Sequence, residues 1–283
     1  MSRIAFVNGQ YVPFATAQIH VEDRGLQFAD SIYEVFAVRG GRLLDAERHW
    51  TRMERSLREL RQNLPMAIPA LAGHVTETVR RNRVRNGLAY LQITRGVTKR
   101  DHPFPAPDLP QTIIVTARRT DMTKVAANAE AGIAVVTLPD ERWARCDIKT
   151  TALIANVLAK QAARDAGAND AWLVDRDGKV TEGASANAWI VTSDGTLVTR
   201  SLSNAILPGV TRYSVLALAE TRQLKVVERS FTPEEAKSAS EAFITSAGNI
   251  VQAVVRIDGH VIGQGRPGPI SAALRADYLA SGI

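Results

Sequence analysis

The order of apolar and polar residues predicts a first third built of paired strands and two helices. The stretches "IAFVNGQYV" and "SIYEVFAVRGGRLL" alternate around Asn-Gly and Gly-Gly pairs, which are typical of β-hairpin turns. Helical spacing follows near residues 46–62 and 69–86. The apolar stripe of the first helix consists of Trp50, Met53, Leu57, Leu60 and Leu64. Two further strand patterns, "YLQITRG" and "QTIIVTARR", flank the proline-rich "KRDHPFPAPDLP". That segment is predicted as a loop, because proline cannot donate a hydrogen bond to a sheet.

A change of pattern at residues 119–131 predicts a domain boundary. This segment lacks strand alternation and lies between two strand patterns. We therefore expect a smaller α/β domain over residues 1–118, an interdomain linker over 119–131 and a larger domain over 132–283. Strands run together before helices rather than alternating strictly with them, so the predicted fold class is α+β rather than a doubly wound parallel sheet.

The larger domain opens with the strand pattern "GIAVVTLP" and reaches a predicted helix that starts at Lys149. The apolar positions of that helix are Leu153, Ile154, Val157 and Leu158. Two hairpins with Asp-Gly turns follow, in "AWLVDRDGKVTEG" and "AWIVTSDGTLVT". Later helices are predicted near Gly209, near 269–280 and from Thr232, where Glu235 completes a capping box.

Composition narrows the class of protein. A chain of 283 residues that is 45% hydrophobic has enough apolar surface for one large or two medium domains. No apolar run reaches the roughly 18 residues of a membrane helix, and no signal-peptide pattern opens the sequence. Cys146 is the only cysteine, so an internal disulfide is excluded and a reducing cytoplasm is expected. It has no neighbouring His/Cys cluster, so we expect a buried thiol and no metal site.

The net charge of +6 raises the alternative of a nucleic-acid-binding protein. Of the 35 basic residues 28 are arginines, and they are spread along the chain with local density at 48–61 and 80–85. In the first of these stretches most arginines lie on the polar face of the predicted helix. No helix-turn-helix, zinc-finger or RNP-like motif accompanies them. Nucleic-acid binding is therefore kept only as the alternative from a different class.

Lys149 stands out among the candidate reactive residues. Lysine is scarce in this arginine-rich chain, and Lys149 lies where the pattern changes from the tripeptide Cys-Asp-Ile to a helix. The positive end of a helix dipole disfavours a cation, so the neutral, nucleophilic amine is favoured there. Some thirty residues later, "TEGASANAW" places the carboxylate of Glu182 between a strand and a Gly-Ala-Ser turn.

Three blocks of the sequence resemble the signature segments of the branched-chain and D-amino-acid aminotransferase family, the fold-type-IV enzymes that use pyridoxal 5'-phosphate. These blocks are "CDIKTTALIANVLAKQ", "VTEGASANAWIV" and "LPGVTR". The resemblance runs from about Ile4 to the C-terminus in matching order, and it is strongest to the D-amino-acid aminotransferases. It implies a two-domain α+β fold with the cofactor between the domains.

The resemblance assigns roles around the cofactor ring. Lys149 is expected to form the Schiff base and then to carry a proton between the substrate α-carbon and the cofactor's aldehyde carbon. Glu182 corresponds to the carboxylate that pairs with the pyridine nitrogen and keeps the ring protonated, which strengthens it as an electron sink. Leu207 is expected to pack under the ring, and Ser246 to contact it.

The resemblance also assigns a phosphate site. The backbone N–H groups of Val210 and Thr211 are expected to point at the phosphate from a helix N-terminus. Arg52 corresponds to the arginine that grips phosphate oxygens. The backbone N–H of Ala247, in "TSAGN", completes the set. D-amino-acid enzymes usually carry a hydroxyl at that position, so this chain lacks one side-chain contact and cofactor affinity is the property affected.

Three polar residues resemble the site that binds the substrate carboxylate in D-amino-acid aminotransferases. Arg100 and His102 form its Arg-x-His loop, and Tyr33 is its tyrosine. Two residues after Tyr33, Val35 points to the same strand face and is expected to line the pocket. In the family this loop comes from the neighbouring subunit, so the resemblance implies a homodimer.

The sequence thus predicts a cytoplasmic, pyridoxal-phosphate-dependent D-amino-acid transaminase. Its expected partners are amino acids and 2-oxo acids, D-alanine and D-glutamate being typical donors, with neither nucleic acid nor membrane. Two alternatives share the fold, namely a branched-chain L-amino-acid aminotransferase and an aminodeoxychorismate lyase. Both use the same lysine and glutamate but lack the Arg-x-His loop. The side-chain preference of the amino donor is left open.

Overall fold

The computed structural model describes residues 3–281, which form two compact units. The first unit comprises the described residues up to Asp121 together with Ile148–Ala152. The second comprises Met122–Asp147 and the described residues from Leu153 onward. Both units combine a sheet with helices, so the predicted α+β class is confirmed. No helix within residues 3–281 is long and apolar enough to cross a membrane.

The first unit is built on a six-stranded sheet in the order β2-β1-β6-β5-β3-β4, with antiparallel neighbours throughout. Its strands are β1 (Ile4–Val7), β2 (Gln10–Pro13), β3 (Ser31–Arg39), β4 (Arg42–Leu43), β5 (Gly87–Thr94) and β6 (Thr112–Arg119). Its helices are α1 (Arg24–Phe28), α2 (Ala46–Glu59) and α3 (Ile68–Arg81). The hairpins predicted at Asn-Gly and Gly-Gly are β1–β2 and β3–β4.

Side chains of α2 and α3 form the core of the first unit against one face of the sheet. Trp50, Met53 and Leu57 of the predicted α2 stripe are buried there, and Leu60 packs against this core from the end of the helix. Leu64 was expected on the same stripe but is 37% exposed, because α2 ends at Glu59.

The second unit contains a nine-stranded sheet in the order β12-β11-β10-β13-β14-β7-β8-β9, with β15 paired to β14. Its strands are β7 (Ile133–Pro139), β8 (Asp170–Val174), β9 (Val180–Gly183), β10 (Asn187–Val191), β11 (Leu197–Thr199), β12 (Val226–Glu228), β13 (Glu241–Ser246), β14 (Ile250–Ile257) and β15 (His260–Val261). Its helices are α4 (Met122–Ala131), α5 (Ile154–Asp165), α6 (Val210–Thr221), α7 (Pro233–Lys237) and α8 (Pro269–Ser281). The two predicted Asp-Gly hairpins are β8–β9 and β10–β11.

Two segments differ from the expected organisation. The stretch 119–131, expected as a linker, contains α4, and a glutamine of β14 donates to the carbonyl of Asn128 in that helix at 2.7 Å. The lysine expected in the larger domain belongs to Ile148–Ala152, which groups with the first unit because these residues pair with β3. The division into folding domains at 119–131 stays a prediction.

Candidate active site

Lys149 lies on a short extended segment beside β3, in the first unit. The N–H of Tyr33 donates to the carbonyl of Lys149 at 2.9 Å, and Thr150 forms an antiparallel bridge with Ile32. The Lys149 N–H in turn donates to the hydroxyl of Ser56 at 3.3 Å. These contacts hold the Nζ atom 4.2 Å from the centroid of the Tyr33 ring.

This placement corrects the sequence argument for the lysine. Helix α5 begins at Ile154, five residues after Lys149, so the amine is not on the first turn and the helix dipole does not act on it as expected. The physical reason is the main-chain pairing with β3, a contact between residues more than a hundred positions apart. The apolar residues expected to form the buried stripe of α5 also differ, since Ile154, Val157 and Leu158 are exposed. The helix is buried through Ala159 and Ala163 instead.

The two faces of β3 divide the predicted site residues of the first unit. Tyr33 and Val35 lie on one face, half-buried, and the ring of Tyr33 stacks on Tyr90 with centroids 5.6 Å apart. Burial, with the Tyr33 phenol nearby, raises the pKa of Tyr90, and its hydroxyl donates to Gln92 at 2.8 Å. Tyr90 therefore keeps its proton at neutral pH, and the Lys149 amine lies beside this aromatic pair.

Arg52 lies under the opposite face of β3, where it pairs with Glu34. Its Nε and Nη2 atoms donate to the two carboxylate oxygens at 2.8 and 2.6 Å, and His49 Nδ1 lies 2.6 Å from Glu34 Oε2. Burial alone would raise the pKa of Glu34, but the charge and hydrogen bonds of Arg52 and His49 lower it to about 2. Burial lowers the pKa of His49. The guanidinium expected to bind phosphate is thus held by an ionised carboxylate.

Arg100 and His102 lie on the exposed loop between β5 and β6, and both approach the ring of Phe28. The Arg100 guanidinium carbon is 5.1 Å from the ring centroid, and the His102 ring centroid is 5.3 Å from it. The structure therefore brings the two loop residues together over one aromatic side chain. Lys149 and Tyr33 form a second group in the same unit.

In the second unit, Glu182 is buried at the centre of a polar cluster. Its carboxylate accepts from Arg142 Nη1 at 2.5 Å, from Asn187 Nδ2 at 2.9 Å and from the N–H of Leu207 at 3.2 Å. Arg142 is itself held by Asp140, with Nε–Oδ1 and Nη2–Oδ2 distances of 2.9 and 2.7 Å. Burial raises the pKa of Glu182, and the charge of Arg142 acts against that rise.

Arg142 is a residue that the sequence reasoning missed. Burial favours its neutral form, but the hydrogen bonds of Asp140 and the charge of Glu182 raise its pKa above the ordinary value. It therefore carries a permanent positive charge beside Glu182. The only signal in the sequence was its place in "ERWARCDIK", seven residues before Lys149, among 28 arginines. Cys146, expected to be a buried thiol, is partly buried and donates to the carbonyl of Trp143 at 3.1 Å.

The N-terminus of α6 lies against the same cluster. Gly209 precedes the helix, and a Cβ atom at this position would lie 2.0 Å from Asn187 Oδ1, so only glycine fits. Val210 and Thr211 open the twelve-residue helix and are buried. Ser246 ends β13 and Ala247 follows in a turn, where the N–H of Asn249 donates to the Ser246 hydroxyl at 3.2 Å.

Within residues 3–281, no group of three or more His, Cys, Asp or Glu side chains is arranged to hold a metal ion. The chemistry available is that of an amine in the first unit and a buried, cation-paired carboxylate in the second. Each belongs to a cluster whose members come from separate stretches of the sequence.

Comparison with known proteins gives consistent matches over most of the chain. The profile described as Amino-transferase class IV matches residues 31–257. The D-alanine aminotransferase of Bacillus licheniformis is 38% identical over 264 residues, covering 93% of this chain and 92% of the relative. That of Staphylococcus haemolyticus is 36% identical over 273 residues, covering 96% and 95%.

Solved structures agree with the sequence matches. The T.th. branched-chain amino acid aminotransferase with pyridoxamine 5'-phosphate has a TM-score of 0.90 and 27% identity, covering 100% of this chain and 94% of its own. The Escherichia coli branched-chain amino acid aminotransferase also has a TM-score of 0.90, at 22% identity, covering 99% and 94%. The second likeness bears on the fold alone.

Proposed function

The chain belongs to the class IV aminotransferases, and from this premise we propose that it is a pyridoxal-phosphate-dependent D-amino-acid transaminase. It transfers the amino group of a D-amino acid, of the D-alanine or D-glutamate type, to a 2-oxo acid in a ping-pong reaction. The observation that carries the proposal is the pairing of the Lys149 segment with β3. That pairing holds a primary amine 4.2 Å from the ring of Tyr33, the residue expected to help bind the substrate carboxylate.

The donor set of the chain fits pyridoxal phosphate. Lys149 offers the amine that would hold the aldehyde covalently, and Glu182 offers a buried carboxylate for the pyridine nitrogen. The α6 N-terminus offers the backbone N–H groups of Val210 and Thr211, and it is preceded by Gly209, where a Cβ would overlap the Asn187 amide. When bound, the cofactor supplies a carbonyl that accepts the amino group and a ring that delocalises negative charge.

The protein's own residues then have separate tasks. Lys149 Nζ removes the proton from the substrate Cα and returns a proton later, as a general base and acid. Glu182 would hold the pyridine nitrogen through its negative charge, and Asn187 and the Leu207 N–H fix the position of its carboxylate. Arg52, whose orientation is fixed by Glu34, is the proposed side-chain ligand of the phosphate. Leu207, Ser246 and the Ala247 N–H are the remaining proposed contacts to the cofactor.

Arg100, His102 and Tyr33 are proposed to bind the substrate α-carboxylate, with Val35 lining the pocket beside Tyr33. An arginine binds a planar carboxylate through two parallel hydrogen bonds, which fixes both its position and its orientation. A carboxylate fixed in this way determines which enantiomer presents its α-hydrogen to Lys149. The relatives named D-alanine aminotransferase support the preference for the D-enantiomer.

We further propose a homodimer in which Arg100 and His102 reach the site of the neighbouring subunit. The exposed apolar face of α5, formed by Ile154, Val157 and Leu158, supports association of this chain with a partner. A cytoplasmic location is proposed with it, in line with the single free cysteine.

The proposal is tested by assaying purified protein with added pyridoxal phosphate. Both enantiomers of alanine and glutamate are offered with 2-oxoglutarate or pyruvate as acceptor. We expect the D-enantiomers to react at least about a hundredfold faster, since a misplaced α-hydrogen costs about that factor. Faster turnover of L-leucine or L-isoleucine would favour the branched-chain L-aminotransferase, and release of pyruvate from aminodeoxychorismate would favour the lyase.

Replacing Arg100 separates carboxylate binding from cofactor binding. In Arg100→Ala we expect a KM for D-alanine raised by about tenfold or more, since a charge-assisted bidentate contact is lost. The absorbance of the bound cofactor is expected to stay unchanged. An Arg100→Ala enzyme with unchanged KM and unchanged donor preference would refute the assignment.

A further inference from the structure

The loop that carries Arg100 and His102 is attached to the body of the first unit by Arg24. Its Nη1 atom donates to the carbonyl of Asp101 at 2.6 Å and, at 3.4 Å, to that of Pro103. Its Nη2 atom donates to the carbonyl of His102 at 3.2 Å. One guanidinium therefore contacts three consecutive carbonyls of the loop. Arg24 is 3% exposed, whereas the loop residues it holds are exposed.

Arg24 is itself fixed by its surroundings. It opens helix α1, which is capped by the side chain of Asp23, and its own N–H donates to the carbonyl of Gly96 at 3.0 Å. Its Nε atom donates to Asp30 at 2.8 Å, and Asp30 is also gripped by Arg95 through two contacts of 2.6 and 3.0 Å. The ion pair with Asp30 thus fixes the orientation of the guanidinium, so that its two Nη atoms face the loop.

Phe28, one turn after Arg24 on α1, lies beneath the side chains of the loop. Its ring centroid is 4.8 Å from the guanidinium carbon of Arg24, 5.1 Å from that of Arg100 and 5.3 Å from the ring centroid of His102. Arg24 therefore holds the main chain of residues 101–103, while Phe28 contacts the two side chains expected to meet the substrate.

We propose that Arg24 and Phe28 are positioning residues that fix Arg100 and His102 in the orientation that receives the substrate carboxylate. The inference rests on the proposed function, because it assumes that these two loop residues bind that carboxylate. An exposed loop without such contacts would lose binding energy each time it had to be ordered around a substrate. Arg24 and Phe28 remove that cost in advance, so they act on substrate affinity through Arg100 and His102 rather than by touching the substrate.

The first test compares Arg24→Lys with the matched control Arg95→Lys. Both arginines are buried and bind Asp30, but Arg95 donates to the carbonyls of Leu60 and Arg61. Arg95 meets the loop at the ring of Phe104, 3.8 Å from its guanidinium carbon, and not at the carbonyls of residues 101–103. A single ammonium cannot replace a fork that reaches Asp30 and three carbonyls at once. We expect Arg24→Lys to raise the KM for D-alanine about tenfold with kcat changed less than about threefold, and Arg95→Lys to leave KM within about twofold. Equal changes in KM for both variants would overturn the proposal.

A double-mutant cycle with Arg100→Ala shows whether Arg24 acts through the loop. If it does, Arg24→Lys raises KM by a smaller factor in the Arg100→Ala background than in wild type, because one of the two residues it positions is gone. Additive effects of the two substitutions would overturn the proposal. Phe28→Leu provides a second route should Arg24→Lys fold poorly, since it keeps the ion pairs and removes only the aromatic ring. It is expected to raise KM as well, and by a smaller factor in the Arg100→Ala background than in wild type. Additivity would again count against the proposal.

Hydrogen exchange of the holoenzyme without substrate gives a readout that does not depend on activity. Peptides covering 97–103 are expected to exchange at least about tenfold faster in Arg24→Lys than in wild type or Arg95→Lys, with other peptides unchanged. Faster exchange together with a raised KM supports the proposal, and faster exchange with an unchanged KM overturns it while the proposed function stands. If wild type transaminates D-amino acids and Arg100→Ala leaves the KM unchanged, the proposed carboxylate site itself is refuted.

Discussion

Arg142 neutralises two largely buried carboxylates, so its removal has a cost that can be worked out from the structure. In Arg142→Met the aliphatic volume is largely kept, but Asp140 and Glu182 lose their shared cation. Thr181 still donates to Asp140, and Asn187 still donates to Glu182. These neutral donors can support one negative charge, but without the cation between them the two carboxylates repel each other. We therefore expect one of the two to take up a proton in the variant.

The cost of that proton depends on pH in a calculable way. The ordinary pKa values of Asp and Glu are 3.8 and 4.5. Neutralising either at pH 7 costs about 3–4 kcal/mol, and at pH 5 about 1–2 kcal/mol, at about 1.4 kcal/mol per pH unit. The value at pH 7 matches the cost of about 3–5 kcal/mol for breaking a buried ion pair. The destabilisation is thus predicted to shrink as the pH falls, whichever carboxyl takes the proton.

The assay is chemical denaturation of wild type and Arg142→Met at pH 7 and pH 5, followed by circular dichroism and by the fluorescence of the buried Trp172 and Trp189. Arg229→Met is the matched control, because Arg229 also pairs with a glutamate in the second unit but is exposed. Its loss is expected to cost at most about 1 kcal/mol at either pH. An Arg142→Met variant no less stable than Arg229→Met at pH 7, or equally destabilised at both pH values, would refute the reasoning.

Three further predictions concern other parts of the chain. Because the pKa values of Glu34 and His49 are lowered, the folded state binds fewer protons than the unfolded state at these two groups. Stability is therefore lost as the pH falls. The loss begins below about pH 6.5 for His49 and runs from pH 4.5 toward pH 2 for Glu34. His49→Gln, which keeps a donor to the glutamate, should flatten the dependence of the unfolding midpoint between pH 6.5 and pH 5 shown by wild type, and an unchanged slope would contradict this. Gly209→Ala is expected to weaken cofactor binding, measured by equilibrium dialysis, because its Cβ would overlap a buried asparagine amide. The control is Gly73→Ala, at a helical position with open space around it. It should stabilise the protein by about 0.5–1 kcal/mol without changing cofactor affinity. Burial raises the pKa of Cys146 to about 11, so alkylation by iodoacetamide at pH 8 should be at least about tenfold slower than that of a free thiol, and equal rates would contradict the burial.

Local sequence signals predicted the elements that depend on neighbouring residues. Asp-Gly pairs gave the β8–β9 and β10–β11 hairpins, in which Gly178 and Gly195 have φ angles of +72° and +80°. The predicted cap at Thr232 is confirmed, since its side chain accepts from the N–H of Glu235 at the start of α7. The carboxylate of Glu235, expected to complete a capping box, pairs with Arg229. Such signals are reliable because a turn or a cap is decided within a few residues.

Contacts between distant residues account for what the sequence did not reveal. The placement of Lys149 depends on pairing with β3, and no local pattern encodes that pairing. Helical spacing predicted α5 but not its buried face, because periodicity identifies an apolar stripe without saying whether this chain covers it. Arg142 and Arg24 could not be told from the other arginines, since only the fold shows which guanidinium meets a carboxylate or a row of carbonyls.

The central claim is that the amine of Lys149 carries the cofactor, and one measurement tests it directly. The protein is incubated with pyridoxal phosphate, reduced with borohydride, digested and analysed by mass spectrometry. A single phosphopyridoxyl group on the peptide that contains Lys149 is the predicted result. The same group on one of the six other lysines of the chain, or on none, would contradict the account.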